Sequence, residues 1–237
     1  MAFAPGFNSR YFVGSMRFSA FAQDFSVTTE TAMLDVSTLE NASKVFIPGQ
    51  SGGNASSAMF LDAAYAAQSQ FAIVNTWLGT PQPVTLCPRG ATLGYECQMV
   101  LGNESSATAS VAVADAVKMD VQLVCDGGLD FGYVIEAETA ITTDTNGAAY
   151  DYTAASTNGA VAHLHVTAYS GFTSNTITIE HSTTGVGSWS TIGTFTTVTG
   201  VTSQRLVIAG SVSRYLRVVD AKVGTGSCTR IVTFSRR

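Results

Sequence analysis

Two histidines have the residue type and the spacing that metal binding would need. His163 and His165 are two positions apart in an alternating run, which places both imidazoles on one face of a strand. Imidazole nitrogens are common ligands of zinc and copper. The sequence has no evident third ligand, because His181 follows Ile177 and Ile179 in a separate apolar alternation. We therefore predict no metal site and no cofactor.

Carboxylates supply the other chemical candidates. Residues 144–147 with Asp151 offer oxygens that calcium prefers, but the spacing is not that of an EF-hand and an Asx-type turn explains it equally well. Residues 130–132 spell the kinase metal-binding triplet without any other kinase motif. Glu136 and Glu138 would share a strand face, whereas glycoside hydrolysis needs two carboxyl groups across a groove. Serine-nucleophile and phosphate-loop motifs are absent from the sequence, so we predict no catalytic residues and no enzymatic activity.

The composition disfavours nucleic-acid binding and favours association with other subunits. The 237 residues have a formal net charge of −5, and the 12 basic residues are scattered rather than clustered. Charged residues make up only 12% of the chain, about half of the usual ~25%. The mean hydropathy is nevertheless positive, at +0.22. These values predict that part of the apolar surface is covered by other subunits.

Targeting signals and cysteine pairs are not evident in the sequence. No apolar run reaches the ~18 residues of a membrane span, and the start lacks the basic and apolar segments of a signal peptide. We therefore expect synthesis in the cytoplasm and no membrane segment. Cys87, Cys97, Cys125 and Cys228 form no CxxC pair and no zinc spacing, so we expect reduced, mostly buried thiols.

One segment has the periodicity of an amphipathic helix. Apolar residues recur from Phe60 onward at alternating steps of four and three. Ser56 or Ser57 can cap the start, and Gly79 with a proline two positions later can end it. We predict a helix at about residues 58–78.

The segment before this helix, residues 37–57, has no periodicity and is rich in Ser, Asn and Gly. A loop of that length is uncommon in a compact domain and is usually functional or disordered. It contains the apolar run Val45-Phe46-Ile47. We therefore predict an interaction arm that becomes ordered on binding.

The composition changes after Ala140, where the chain becomes rich in Thr and short strands recur between Gly or Asn turns. We predict a mainly β fold with two domains, residues 1–140 and 141–237, the second an all-β sandwich or jelly roll. The predicted strands are 16–21, 26–34, 84–87, 93–100, 110–113, 119–125, 161–168, 176–181, 190–196, 204–209, 215–220 and 229–234.

Three stretches resemble the major tail tube proteins of long non-contractile phages, especially phages of actinobacteria. They are LDVSTLENASKVFIPGQ at residues 34–50, DAVKMDVQLVCDGGLDFG at 115–132, and ITIEHS with TIGTFTTVTGVTSQRLVIAGSVSRYLRVV within 177–219. The resemblance implies a tube domain of packed sheets forming a sandwich or barrel, with one flanking helix. It also implies six subunits that close a ring, a lumen lined by strands, and a long loop that reaches between rings.

This resemblance implies a structural virion protein of the phage tail. Stacked rings would form a tube through which DNA passes without specific binding, in contact with tape measure, tail terminator and distal tail proteins. The contacts between subunits and rings are predicted at Lys44, Val45, Phe46, Ile47, Pro48 and Gln50.

The C-terminal half resembles the accessory β-sandwich domains on the exterior of phage tails, some of which resemble carbohydrate-binding modules. Glycan stacking is therefore predicted for Tyr169, Phe172, Trp189 and Tyr215, although such residues are also common in sandwich cores. Two alternatives remain for the whole chain: a carbohydrate-binding module, or a decoration protein of the capsid or tail.

Overall fold

Extended strands account for most of the computed structural model, which describes residues 6–61, 74, 76–111 and 116–237. The prediction of a mainly β fold is confirmed, and every recorded strand pairing is antiparallel. Short 3-10 turns occur at Gly6–Asn8 and Phe18–Ala20. The strands are β1 Arg10–Val13, β2 Met16–Arg17, β3 Ala22–Asp35, β4 Phe46–Phe60, β5 Gln82–Cys87, β6 Glu96–Ser110, β7 Lys118–Ile141, β8 Tyr150–Asp151, β9 Ala160–Ser182, β10 Ser190–Thr194, β11 Thr202–Ile208 and β12 Tyr215–Arg236.

The chain divides into two compact units that do not match the predicted boundary near residue 140. Unit 1 comprises Met1–Phe21, Gln82–Met99 and Asp130–Arg237, and unit 2 comprises Ala22–Pro81 and Val100–Leu129. The shift in composition after residue 140 falls inside unit 1, where β7 continues to Ile141 as an unbroken strand. The C-terminal residues share unit 1 with the N-terminal segment because β-sheet pairing joins strands that are distant in sequence.

Unit 1 is organised by a long ribbon made of β9 and β12, which folds back on itself. The side chains of Asp220 and Arg230 approach to 2.5 Å, although ten residues of straight strand would separate them by about 33 Å. The bend occurs at glycines: Gly171 has a φ of +77°, and a Cβ on Gly226 would lie 1.9 Å from Ser170 O. Glycine is therefore required for the close approach at this corner.

Two apolar clusters lie on opposite faces of the first half of β9. The alternation predicted for residues 161–168 is confirmed, since Ala162, Leu164 and Val166 belong to one cluster and Val161 to the other. The larger cluster fills the fold-back of the ribbon and includes Leu164, Val166, Ile177, Ile179, Phe195, Leu216, Val218, Val232 and Phe234. The smaller one contains Phe12, Cys87, Cys97, Met99, Val134, Val161 and Ile231.

Unit 2 is built on a long hairpin of β3 and β4, followed by β7 and β6. The pairing extends from Ala22 opposite Met59 to Asp35 opposite Phe46. Residues 46–57 are thus a strand, so the predicted loop at 37–57 is corrected to a turn over residues 36–45. Pairing with β3 determines this strand despite its weak β propensity, and glycine permits it: a Cβ on Gly53 would lie 2.3 Å from Thr28 O.

The predicted helix at 58–78 falls mostly on residues 62–73 and 75, which lie outside the described residues. At its start, residues 58–60 belong to β4, and the proposed caps Ser56 and Ser57 are strand residues paired with β3. At its end, Thr80 N donates to Trp77 O in a turn. The described residues therefore contain a strand where the first turn of the helix was predicted.

Candidate assembly surface

The closed end of the β3–β4 hairpin exposes a dense group of large apolar side chains. On the β3 side, Met33 and Leu34 are more than half exposed, and Leu39 in the turn is fully exposed. Phe46 and Ile47 begin β4 with 45% and 47% of their surfaces exposed. Val36 and Val45 complete the group, which we call the hairpin tip. Successive strand residues point to opposite faces, so the hairpin tip exposes apolar side chains on both faces, and exposed groups of large apolar side chains are typical of interaction sites.

The predicted contact residues are part of this tip or directly adjoin it. Asp35 pairs with Phe46 across the hairpin, and Val36 N donates to Val45 O over 2.9 Å. Lys44 lies 3.8 Å from the Asp35 carboxylate and about 6.0 Å from the Phe46 ring centroid. Pro48 pairs with Met33, and Gln50 is exposed on the same strand. These contacts give the tip a defined β geometry before any partner is bound.

The outer edge of the hairpin is formed by β3. Among the described residues, the 14-residue strand β3 pairs only with β4. Within that part of the chain the other edge of β3 has no strand partner, and a strand edge without a partner favours pairing with another chain.

One face of unit 2 is polar and acidic. On β7, Met119, Val121 and Leu123 are buried, whereas Asp120 and Gln122 between them are exposed. The register places Asp24, Ala58 and Asp120 side by side on three adjacent strands. They line a shallow groove of about 360 Å³, together with Ser56, Ser57, Ser106, Thr108, Val121 and Gln122. The groove has no basic side chain in its lining.

Charge is distributed unequally between the two units. Unit 2 has nine acidic residues and two lysines, a formal charge of −7, and all nine arginines of the chain belong to unit 1. Unit 1 has ten basic and eight acidic residues, a formal charge of +2. The modest overall charge of −5 therefore conceals a strongly acidic unit.

His163 and His165 are buried in unit 1, and both imidazole rings hydrogen-bond to the hydroxyl group of Thr85. Thr85 Oγ1 lies 3.1 Å from His163 Nδ1 and 2.7 Å from His165 Nε2, and His165 Nδ1 lies 2.7 Å from Gly14 O. Because a carbonyl only accepts, His165 donates from Nδ1 and accepts the Thr85 hydroxyl at Nε2. The hydroxyl oxygen then accepts from His163. Burial lowers the pKa of His165 to about 4 and that of His163 well below its ordinary value, so both rings serve as neutral hydrogen-bonding groups.

Unit 1 also contains a buried cluster of charged side chains that the sequence analysis does not predict. Arg230 Nη2 lies 2.5 Å from Asp220 Oδ2 and 2.6 Å from Glu136 Oε2. Arg230 and Asp220 side chains have no solvent exposure, and Glu136 has 10%. Asn175 and Thr145 also donate to Asp220, over 2.9 and 3.0 Å. No local pattern could reveal this site, because the fold-back of the ribbon brings its members together.

The other carboxylate candidates are engaged in structural contacts. Asp144 accepts from the Lys222 backbone N–H over 2.9 Å, and Asp151 forms two hydrogen bonds with Arg214 at 2.6 and 2.7 Å.

The kinase-like triplet and Glu138 are likewise occupied. Asp130 pairs with Arg237 over 3.1 Å, and Glu138 pairs with Arg17 over 3.1 Å. Within the described residues, no group of three side chains could hold a metal ion, and no helix there is long and apolar enough to cross a membrane.

The four aromatic residues predicted to stack on glycans occupy two settings. Tyr169 and Phe172 pack edge to face at 6.1 Å, and Phe172 is buried in the core. Trp189 and Tyr215 are half-buried under arginines, with Arg217 4.3 Å from the Trp189 ring and Arg214 5.0 Å from that of Tyr215.

Comparison with known proteins finds likeness in structure alone. No family model and no curated protein matches the chain. The SPP1 tail tube is 14% identical over 56% of this chain and 81% of its own, with a TM-score of 0.44. A chain from the virion of a native gene transfer agent is 12% identical over 54% and 97%, with a TM-score of 0.42. The SPP1 Dit protein, described as a hub adsorption apparatus, is 10% identical over 96% and 98%, with a TM-score of 0.35. The chain is thus distantly similar to structural proteins of phage tails and gene transfer agents, and its own geometry must support any function.

Proposed function

We propose that this chain is a structural protein of a phage virion, the major tail tube subunit of a long non-contractile tail. Six copies would close a ring, and rings would stack into a tube. The observation that carries the proposal is the hairpin tip, where seven large apolar side chains within fifteen residues are 41% exposed or more. A monomer would gain nothing from this exposure, whereas an assembly would bury it.

The energetics favour assembly by many tips acting together. Burying one large apolar side chain fully contributes about 1.5 to 3 kcal/mol, so Phe46 and Ile47, already half covered, would add roughly half of that each. Such a contribution is small compared with the cost of associating two molecules, about 4 to 15 kcal/mol. Once one tip is docked, the remaining tips of a ring bind intramolecularly, so rings would stack cooperatively.

The open edge of β3 supports lateral closure of the ring. A second copy could extend the sheet by pairing its own strand with this edge, as unpaired edges favour. Repeating this heterologous contact around an axis produces a closed ring, and stacking the rings produces an open filament.

The acidic face of unit 2 fits a conduit for DNA. We assign to the lumen the exposed acidic residues Asp24, Glu30, Asp120 and Asp126 on β3 and β7. Like charge repels the phosphate backbone, so DNA would pass through without specific binding. Contacts with tape measure, terminator and distal tail proteins would follow from this location. The C-terminal residues would face the exterior, and glycan stacking by Tyr169, Phe172, Trp189 and Tyr215 stays a prediction.

The test is assembly of a double variant. The purified wild-type chain should form rings and tubes in negative-stain electron micrographs. Phe46→Ser with Ile47→Ser should reduce tubes at least tenfold and leave near-UV circular dichroism unchanged, because both side chains are exposed. The matched control is Val186→Ser with Val207→Ser, two valines of unit 1 that are 93% and 58% exposed, which should assemble normally. Tubes from the double variant, or none from the wild type at any concentration, would contradict the proposal.

A further inference from the structure

In the charge cluster at the fold-back of the ribbon, the carboxyl groups outnumber the cations by one. Two carboxyl groups, on Glu136 and Asp220, contact a single guanidinium, that of Arg230. Both contacts use the same nitrogen, Nη2. With both acids ionised, the cluster would hold a net negative charge at 10% exposure or less. Burial of an uncompensated charge is costly, and proteins normally avoid it by binding a proton.

Hydrogen bonding identifies the carboxyl group that takes this proton. Asp220 receives three side-chain donors: Asn175 Nδ2 on Oδ1, and Thr145 Oγ1 with Arg230 Nη2 on Oδ2. Among the described residues, Glu136 receives a single side-chain donor, Arg230 Nη2 on Oε2. Donors stabilise the ionised form, so the charge is held on Asp220. Glu136 can keep Oε2 as the acceptor from Arg230 and carry the proton on Oε1.

From this arrangement we propose that Glu136, Arg230 and Asp220 form a proton-binding site that couples the fold-back of β9 and β12 to pH. In the protonated state, Asp220 and Arg230 form a neutral pair and Glu136 is a neutral acid. Loss of the proton from Glu136 Oε1 to solvent leaves two buried anions sharing one cation. The repulsion acts between β7, which carries Glu136, and β12, which carries Asp220 and Arg230.

The electrostatics place this transition near neutrality. Burial raises the pKa of Glu136 from 4.5 to about 7; Arg230 opposes the rise and Asp220 adds to it. Within the described part of the chain, the buried Cys228 thiol also lies beside the cluster, and burial raises its pKa. Between about pH 4.5 and 7, the folded chain holds a proton that the unfolded chain releases. Its stability therefore falls as the pH rises through this window.

The experiment is infrared spectroscopy of the full chain combined with unfolding in urea. At pH 6 the wild type should show the carbonyl stretch of a protonated carboxylic acid, and this band should disappear with a midpoint near pH 7. Glu136→Gln should lack the band. Glu138→Gln, which removes the other acid of the same strand, should retain it.

Stability provides a second readout. Between pH 4.5 and 7, the folding equilibrium constant of the wild type should fall relative to Glu136→Gln by on the order of 100-fold. Absence of the band in the wild type at pH 6, its persistence in Glu136→Gln, or a constant stability ratio between the two proteins would overturn the proposal. If Glu136→Gln does not fold, the titration of the wild-type band still decides. This outcome is independent of assembly, since it is measured on a single chain.

Discussion

The two units of this chain differ in how far their acidic side chains are paired with basic ones. In unit 1, seven of eight acidic residues contact an arginine within 4 Å, and one such cluster is buried in the core. In unit 2, nine acidic residues have two lysines to pair with, and most of β3 is exposed. Charges paired within a unit are neutralised by contacts inside that unit. Charges and apolar side chains left unmatched are available to other molecules, which is why we place assembly in unit 2.

The largest effect should come from interrupting unit 1. A chain ending at residue 140 loses β9, β11 and β12, so Val134 and Phe12 lose their cluster partners Val161 and Ile231. We expect an insoluble or molten fragment without a near-UV dichroism signal.

The corresponding change in unit 2 is a shortened hairpin rather than a truncated chain. Replacing residues 30–52 by an Asn-Gly turn keeps the register between Thr28 and Asn54 and should give a folded chain that does not assemble. A well-folded fragment 1–140 would show that the two units are not distinguished in this way.

A smaller effect, confined to unit 1, should follow from breaking one buried pair. Arg230→Met leaves Asp220 and Glu136 enclosed without a cation, which we expect to lower the free energy of unfolding by about 3 to 5 kcal/mol. Arg214→Met removes an exposed partner of Asp151 and should lower stability far less, because water screens an exposed ion pair. Urea denaturation of both variants measures the difference. Equal losses would mean that burial of the cluster adds nothing.

The smallest expected effect is the loss of folding stability at acidic pH that His165 causes in unit 1. Since burial lowers the pKa of His165 to about 4 from 6.5, the unfolded chain binds more protons between these values. The stability due to this residue is fully present above pH 6.5 and is lost as the pH falls towards 4, by up to about 3 kcal/mol. His165→Gln should flatten that decline in urea titrations at several pH values. An unchanged slope would exclude this histidine as its source.

Alternation along the sequence predicted much of the fold. Residues 119–125 alternate between buried and exposed within β7 as expected. The sequence predicts two short strands in place of each of β9 and β12, because glycines between apolar alternations are typical of turns, and Gly171 and Gly224 lie in these gaps. In the structure these glycines have positive φ values and bend paired strands without ending them. Local sequence cannot distinguish a bend from a turn when the partner strand is unknown.

The sequence indicates some features of the hairpin tip and misses others. Val45-Phe46-Ile47 stands out in the sequence as an apolar run within a polar segment, but Pro48 and the glycines favour a loop over residues 48–57. Their strand conformation depends on pairing with β3, whose partner residues lie 15 to 32 positions earlier. The Arg230 cluster required contacts across 10 and 94 residues of sequence, which no local pattern encodes.

The interrupted path of unit 1 has a consequence for synthesis on the ribosome. Strand β1 lies near the start of the chain, yet Gly14 after it binds His165, and β12 ends at Arg236. Unit 2 is complete once residue 129 has been translated. At roughly 5 to 20 residues per second, the hairpin tip of a nascent chain is exposed for several seconds before unit 1 can close. Neighbouring ribosomes on one messenger RNA would therefore carry nascent chains whose hairpin tips are exposed while unit 1 is still incomplete.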